Sequence, residues 1–442
     1  MSTIADKLQE LIDSKADMKS AIAEKGVEVE GGLTTYAAAI RKIQQGSVDR
    51  FAAIGYNEEN TGGFLQEVNT GLNVADEILA EWNSTGSSSI DMTKWKDNAV
   101  YFPAVDLTMK SFNRNFKFED YFKLRVVPDL NFTGKTYSGR LFYNCTSLRY
   151  IGNITGTESV SDMGSMFSYC KSLTSIPQLN TSNVTNMYSM FSHCNSIDSI
   201  PQLDTSKVTD MSNMFMGCSI LYHIPQIDTS NVTDMSGMFS GCIGLTSIPL
   251  LDTSSVTDMR SMFYNCRFLD SIPKLNTSNV TSMNSMFNSC TFLTSIPQLD
   301  TSKVTDMSFM FYYCTSLISI PQLDTSKVTN MDRMFKKCSS LNSIPLINCS
   351  SITNTNDPFE YDNLYNLTDL GGFKDLKVSW SSNFLNRVPN ATVESLMNVI
   401  NNLYDLIANG LNEQTLRFGT TNLNKLTDEQ IAVAINKGWT LI

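Results

Sequence analysis

Residues 203–218 read "LDTSKVTDMSNMFMGC", and residues 299–314 read "LDTSKVTDMSFMFYYC". Alone, the first resembles the surroundings of a reactive thiol; its return makes the cysteine part of a period. Cysteines stand at 145, 170, 194, 218, 242, 266, 290, 314, 338 and 349, and each step from Cys170 to Cys338 is 24 residues. Prolines keep the same beat from Pro177 to Pro345, as do Met-Phe pairs from Met166-Phe167 to Met334-Phe335. A period of this length predicts a solenoid, in which short units stack and bury a core that none could bury alone.

One coil, 197–220, reads "IDSIPQLDTSKVTDMSNMFMGCSI". Ile197, Ile200, Leu203, Val208, Met211, Met214, Phe215 and Cys218 stay apolar in the other coils while the residues between them change, so they are expected to face inward. Val208, Met211 and Phe215 stand at i, i+3 and i+7, which predicts a short helix or 3₁₀ turn capped by Thr205 or Ser206. "SIPQLD" predicts a short extended segment whose proline removes one ladder donor. Stacked at strand spacing, about ten coils would make a rod of roughly 50 Å.

The 442 residues are 42% hydrophobic and 17% charged, enough for a large core and too apolar for disorder. A formal net charge of −11 without a Lys/Arg cluster argues against nucleic acid and against an anionic membrane surface. "MSTIADKLQELIDSKADMKS" predicts neither a secretory signal nor a membrane span, and no lipidation motif shows at either end.

The unit [LI]-x-x-I-P-x-[LI]-[DN]-T-S-x-V-T-x-M-x-x-M-F-x-x-C resembles the BspA-like leucine-rich repeat of bacterial surface and bacteriophage proteins. The resemblance covers about 141–350, with degenerate coils before it around Pro103 and Pro128. It implies an α/β, leucine-rich-repeat-like solenoid that recognises surfaces and carries no fixed chemistry. The segment 15–43 is similar to one recurring at the N-terminus of phage virion proteins, through Lys15, Ile22, Lys25, Gly26, Val27, Tyr36, Ile40 and Ile43. The C-terminal segment resembles the closing segment of gut-bacterial and phage proteins with these repeats.

The expected organisation is a helical anchor over 1–50, an adaptor over 51–95 with a break at "STGSSS", and coils over 96–350, degenerate over 96–165 and regular over 166–345. An α/β cap follows over 351–442. In it, Leu396, Val399, Ile400, Leu403 and Ile407 predict a helical stripe ending at Asn409-Gly410, and Thr427 with Gln430 predicts a capping box on a second helix ending at Gly438. An open solenoid end exposes core and needs such a cover. Ile4, Leu8, Leu11, Met18 and Ile22 form a heptad-like seam interrupted by Lys15. It reads either as an amphipathic helix folded on its own domain or, with Lys25, Gly26 and Tyr36, as a virion-docking and oligomerising segment.

No cofactor is expected. Stacked cysteines one coil apart could reach disulfide or metal geometry, but such a column reads better as small buried hydrophobes, and C-x-x-C is absent. The column Asp204, Asp228, Asp252, Asp300 and Asp324 could take Ca²⁺, yet Asn180 and Asn276 share it and Thr-Ser follows each time, which favours hydrogen-bonded turns. With two histidines, His193 and His223, and no P-loop, G-x-S-x-G or H-E-x-x-H, an enzyme is not expected. A glycosidase pair would need two carboxylates opposed across a cleft, where repeated coils supply ladders.

Specificity must then come from what varies. The two positions before each Met-Phe and the two after it change freely, and they include Tyr188, Arg260, Tyr264, Phe309, Tyr312, Tyr313, Arg333, Lys336 and Lys337. Aromatics on outward positions serve a glycan or protein contact, or pack on neighbours within a bland solvated face. The composite expectation is a phage virion appendage, a tail fibre or similar fibre. It would join other virion proteins through its N-terminus, form a homo-oligomer there, and bind a host-surface glycan or protein. A bacterial cell-surface adhesin, which would need an export signal, and a capsid decoration or head fibre protein are the alternatives.

Overall fold

The computed structural model describes residues 74–84, 91–103, 117–352, 358–359, 364–377, 379 and 385–442. The expected anchor residues, Ile4, Leu8, Leu11, Met18, Ile22, Lys25, Gly26 and Tyr36, lie outside them. Two compact units divide the chain: Met1–Val184 with Met190–Asp204, and Thr185–Ser189 with Thr205–Ile442. Each is a repeat solenoid.

In the second unit the apolar columns turn inward as expected: Val208, Met211, Met214, Phe215 and Cys218 are wholly buried, and the same columns stay buried in every later coil. Phenylalanines stack one per coil, with ring centroids 5.8 Å apart for Phe215–Phe239 and 5.7 Å for Phe263–Phe287. Burying a Phe together with two Met and a Val in each coil supplies most of the driving force, at about 2 kcal/mol or more per side chain.

Of the short helix or 3₁₀ turn expected over Val208–Cys218, no α-helix forms, and the bonds within the coil have the three-residue spacing of 3₁₀ turns. Successive turns take its place, and alternate amides look in different directions. Met214, Met216 and Cys218 donate within the coil, to the carbonyls of Met211, Asn213 and Phe215 at 3.1, 3.1 and 3.0 Å. Asn213, Phe215 and Gly217 donate to the next coil, to Ser236, Met238 and Ser240 at 2.8, 2.9 and 2.6 Å. The alternation requires left-handed backbone at two places per coil, and Asn213 and Gly217 have φ of 56° and 74°. A helix would direct every amide inward along its own coil and leave the stack without these cross-links. Thr205 caps nothing; its hydroxyl donates to Asp228 O on the next coil at 2.8 Å.

The extended side is joined differently. Pro201 and its equivalents offer no N–H, so side chains bridge the coils: Gln226 Nε2 donates to Leu250 O at 2.7 Å and Gln298 Nε2 to Gln322 O at 2.6 Å. The aspartate column forms the expected turns, with Asp228 Oδ1 accepting from Ser230 N at 3.0 Å and Oγ at 2.7 Å, and Asp300 doing the same with Ser302.

In the first unit a helix over 74–84 (α1) and a 3₁₀ turn at Met92–Trp95, capped by Asp91, precede the coils. Backbone strands appear where a proline coil meets a glycine coil. β1 (Val126–Val127) and β2 (Leu130–Asn131) flank Pro128 and pair in parallel with β3 (Tyr150–Ile151) and β4 (Ile154–Thr155), which flank Gly152. Gly152 supplies the N–H that a proline would lack, to Val127 O at 2.8 Å, and a Cβ there would lie 2.5 Å from the Asp129 nitrogen.

The second unit repeats this device at its last coils. β5 (Ser343–Ile344) and β6 (Ile347–Asn348) flank Pro345 and pair with β7 (Asp369–Leu370) and β8 (Phe373–Lys374), and Gly371 N donates to Ile344 O at 2.9 Å. Helix α2 (Val393–Asn402) packs on β7 and β8. Its Ser395 Oγ accepts from Leu370 N at 3.0 Å and its Asn398 amide donates to Leu370 O at 3.3 Å, which satisfies the outer edge of β7. The predicted stripe stops early: α2 ends at Asn402, Leu403 is extended (φ −61°, ψ 141°), and Ile407 is exposed. Lys437 closes that end by donating to Asn401 O at 2.7 Å. Parallel β9 (Gln414–Leu416) and β10 (Trp439–Leu441), a short α3 (Thr420–Leu423) and α4 (Asp428–Ile435) complete the unit, with the expected Thr427–Gln430 capping box on α4.

All ten cysteines are buried, and none forms a disulfide. In the second unit the thiols of Cys242, Cys266, Cys290, Cys314 and Cys338 each donate to the carbonyl of the preceding coil's phenylalanine, as Cys266 Sγ does to Phe239 O at 3.0 Å. Burial raises the thiol of Cys349 to about 12 and those of Cys242, Cys266, Cys290 and Cys314 well above their ordinary value of 9.0. Folded thiols therefore stay protonated where unfolded ones ionise, so their stabilising contribution is complete below about pH 8.5 and falls above it, by about 1.4 kcal/mol per pH unit for each thiol. Thermal melts should be insensitive to these groups from pH 6 to 8 and drop steeply above pH 9, while a thiol reagent at pH 8 should label none of the column until denaturant is added.

Candidate functional site

The left-handed backbone positions fall on two of the four variable columns. In successive coils of the second unit they are Asn213/Gly217, Gly237/Gly241, Ser261/Asn265, Ser285/Ser289, Phe309/Tyr313 and Arg333/Lys337. The first four pairs are small or amide residues, which accept positive φ at little cost. Phe309 (58°), Tyr313 (61°), Arg333 (53°) and Lys337 (68°) are large side chains held where their own backbone opposes them, at a cost of about 1 kcal/mol or more each.

These residues cluster. The Phe309 and Tyr312 rings meet edge-on at 5.7 Å, Tyr312 and Tyr313 lie 4.9 Å apart, and the Arg333 guanidinium sits 5.6 Å from the Phe309 ring while its Nη1 reaches Asp332 at 3.1 Å. Lys336 follows in the Tyr312 column and Lys337 in the Tyr313 column. Outward exposure, expected for all of the aromatics, holds for Tyr313 at 40%; Phe309 and Tyr312 are half-buried because their rings pack on one another and under Arg333. Tyr264 is exposed but stands two coils away, and Arg260 beside it is fixed on Asp258, with Nη2 2.7 Å from Oδ2.

Two aromatic groupings escaped the sequence reading. In the first unit, Arg140 lies 3.8 Å over the Tyr143 ring, Tyr143 meets Tyr169 at 5.8 Å, and Tyr169 stacks on His193 at 4.5 Å. Partial burial, with Lys171 nearby, lowers the His193 pKa and favours the neutral ring. In the second unit, Ile220, Tyr222, Phe268, Phe292 and Ile318 are exposed just after the cysteine column, and Phe268 and Phe292 touch at 5.2 Å. Aligning the two columns beyond each cysteine would have shown the second group; only the four columns around Met-Phe were weighed.

No cluster of metal-ligating side chains occurs among the described residues, and no helix among them is long and apolar enough to cross a membrane. A stack of 24-residue coils whose varied side chains sit on turns defines a repeat-solenoid protein. The family model described as "Mycoplasma protein of unknown function, DUF285" matches residues 136–245, 195–291, 245–347 and 318–393, more than half of the chain, and the protein belongs to that family. No curated protein matches. Among solved structures, it is similar to a leucine-rich repeat protein from Eubacterium ventriosum (16% identity over 61% of this chain and 84% of that one, TM-score 0.29). It is also similar to a leucine-rich repeat protein from T. pallidum (18% identity, 50% and 78% coverage, TM-score 0.22) and to a functional domain of InlJ from Listeria monocytogenes (14% identity, 75% and 74% coverage, TM-score 0.20).

The backbone geometry separates cluster from core. Tyr313→Gly removes an outward ring and relieves left-handed strain, so it should change stability by less than about 1 kcal/mol. Phe311→Ala, in the wholly buried column, should cost about 3–5 kcal/mol through the cavity it opens. Paired chemical denaturation curves check both.

Proposed function

We propose that this chain is a non-enzymatic recognition protein that presents the Phe309, Tyr312, Tyr313 and Arg333 cluster, with Tyr264, Arg260, Lys336 and Lys337 around it, to a glycan or protein on a host surface. The observation that carries this reading is the set of large side chains at left-handed positions that neighbouring coils fill with Gly, Ser or Asn. Residues kept against their own backbone preference, and gathered in one place, need a benefit outside folding. Aromatic rings beside a guanidinium supply flat apolar area and a cation together, a combination that concentrates binding energy.

Within this reading the protein is a virion appendage, a tail fibre or similar fibre. Its N-terminal segment engages other virion proteins and forms a homo-oligomer there, and the C-terminal region from α2 onward acts as the cap. The phage-like Lys25-Gly26-Val27 segment supports the placement. A bacterial surface adhesin is the second reading, supported by the resemblance of the repeat unit to the BspA-like repeat of bacterial surface proteins.

Replacing Phe309, Tyr312 and Tyr313 with Ser, which these columns carry at Ser285, Ser240 and Ser289, should leave the melting temperature within a few degrees and lower adsorption to host cells severalfold. Unchanged adsorption by the folded triple variant rejects the cluster. Deleting residues 1–45 should leave the coils folded and abolish incorporation into particles; incorporation at normal copy number would place the anchor elsewhere.

A further inference from the structure

The second unit has a further outward face that the turn-side cluster does not use. After each buried cysteine the first, second, fourth and fifth residues lie at the surface around a buried leucine, as Arg267, Phe268, Asp270 and Ser271 do around Leu269. From the Cys218 coil to the Cys338 coil these positions are mostly Ser and Thr, with one carboxylate, Asp270, and one guanidinium, Arg267. The backbone behind them is satisfied within the stack: Asp270, Phe292 and Ile318 donate to Thr246, Arg267 and Thr294 of the preceding coils at 3.1, 3.1 and 3.0 Å. Yet Phe268 is 47% exposed, Phe292 55% and Ile318 45%, and the two rings meet at 5.2 Å. Gly244, Ser316 and Ser340 stand in other coils where these phenylalanines do, so the stack does not need them. Apolar groups kept in water without a folding role mark a surface that another molecule covers.

We propose that the molecule covering this face is a second copy of the chain, with the two stacks running antiparallel. At a net charge of −11 two copies repel, and they approach best where charge is sparsest. A two-fold contact sets each residue of a patch against another residue of the same patch. The axis that suits this patch lies in the face, midway between the Phe268 and Phe292 coils, and it keeps every column opposite itself while reversing the order of the coils. Phe268 of each copy then meets Phe292 of the other, which gathers the aromatic anchors at the centre of the contact. Asp270 meets the hydroxyl of Thr294 and Arg267 that of Thr291, so no like charges face each other. One coil further out, Ile318 lies over Gly244 and Thr246; beyond it, Ile220 and Tyr222 lie over Ser340 and Asn342, large side chains against small ones. An axis through the Phe268 coil would set Asp270 against Asp270, and one through the Phe292 coil would set Asp270 against Ile318. This contact neither uses nor requires the turn-side cluster or the N-terminal segment.

The full chain carrying Thr246→Cys with Ile318→Cys tests the register. Within one chain these positions stand three coils apart, about 14 Å at strand spacing and too far for a disulfide, whereas across the axis they face each other. Oxidation with copper phenanthroline at high protein concentration should link the double variant into a dimer on a non-reducing gel and leave either single variant unlinked. Adding Phe268→Ser and Phe292→Ser, a residue this column already carries at Ser316 and Ser340, should keep the melting temperature within a few degrees and lower cross-linking by about fivefold or more. Absence of a linked dimer, equal linking of the single variants, or linking that survives loss of both phenylalanines in the folded protein would each overturn the proposal. Failure of the N-terminal segment to assemble would leave this cross-link intact, so the two contacts are read separately.

Discussion

The amide of every second residue on the turn side leaves its own coil and bonds to the next, and the rest of the molecule is arranged to permit this. Asn213 N to Ser236 O and Gly217 N to Ser240 O are two such bonds, and both donors are left-handed residues. The intervening amides close tight turns within the coil, so buried backbone on this side finds its partners without a helix or a sheet. The inward positions of these turns hold Met211, Met214, Phe215 and Cys218, and the phenylalanine stack follows from the same spacing. A thiol suits the last of them because it is small, apolar and able to donate weakly to the preceding carbonyl.

Much of this was legible from the period alone. A residue that stays apolar at 24-residue intervals while its neighbours change can only face the core, and Val208, Met211 and Phe215 do. The secondary structure was harder, because i, i+3 and i+7 describe both a helical face and a run of three-residue turns. What decides between them is the pair of columns holding Asn213, Gly217, Gly237, Gly241 and Asn265, where glycine and asparagine recur because the backbone is left-handed. Those columns looked merely variable. The prolines were read correctly as missing donors, but the remedy was not: Gln226 and Gln298 bridge where proline meets proline, and Gly152 and Gly371 restore a true ladder where it does not.

The candidate cluster was found for a sound reason and described too simply. Phe309, Tyr312 and Tyr313 depart from a column of Ser, Asn and Gly, and departure from a repeat is where information lies. Variation does not by itself imply exposure, since adjacent large residues cover one another, and Phe309 and Tyr312 are half-buried for that reason. The same rule applied further along the coil would have shown Phe268 and Phe292, which replace the small residues of other coils and stand exposed.

The two sides of a coil therefore differ in what they can distinguish. On the extended side, Asp, Thr and Gln are tied to their neighbours by bonds that join one coil to the next, so changing any of them loosens the stack, and the surface stays nearly uniform. A uniform surface presents the same group at each step and can read only a ligand that repeats. On the turn side the cross-links belong to the backbone, which leaves the side chains at 309, 313, 333 and 337 at liberty to change, subject only to the cost of positive φ. A surface free to vary residue by residue can match a partner with no repeat at all. The hydrogen bonds that hold the stack are made largely by side chains on the extended side and by backbone on the turn side, which is why side-chain identity is held on one and drifts on the other.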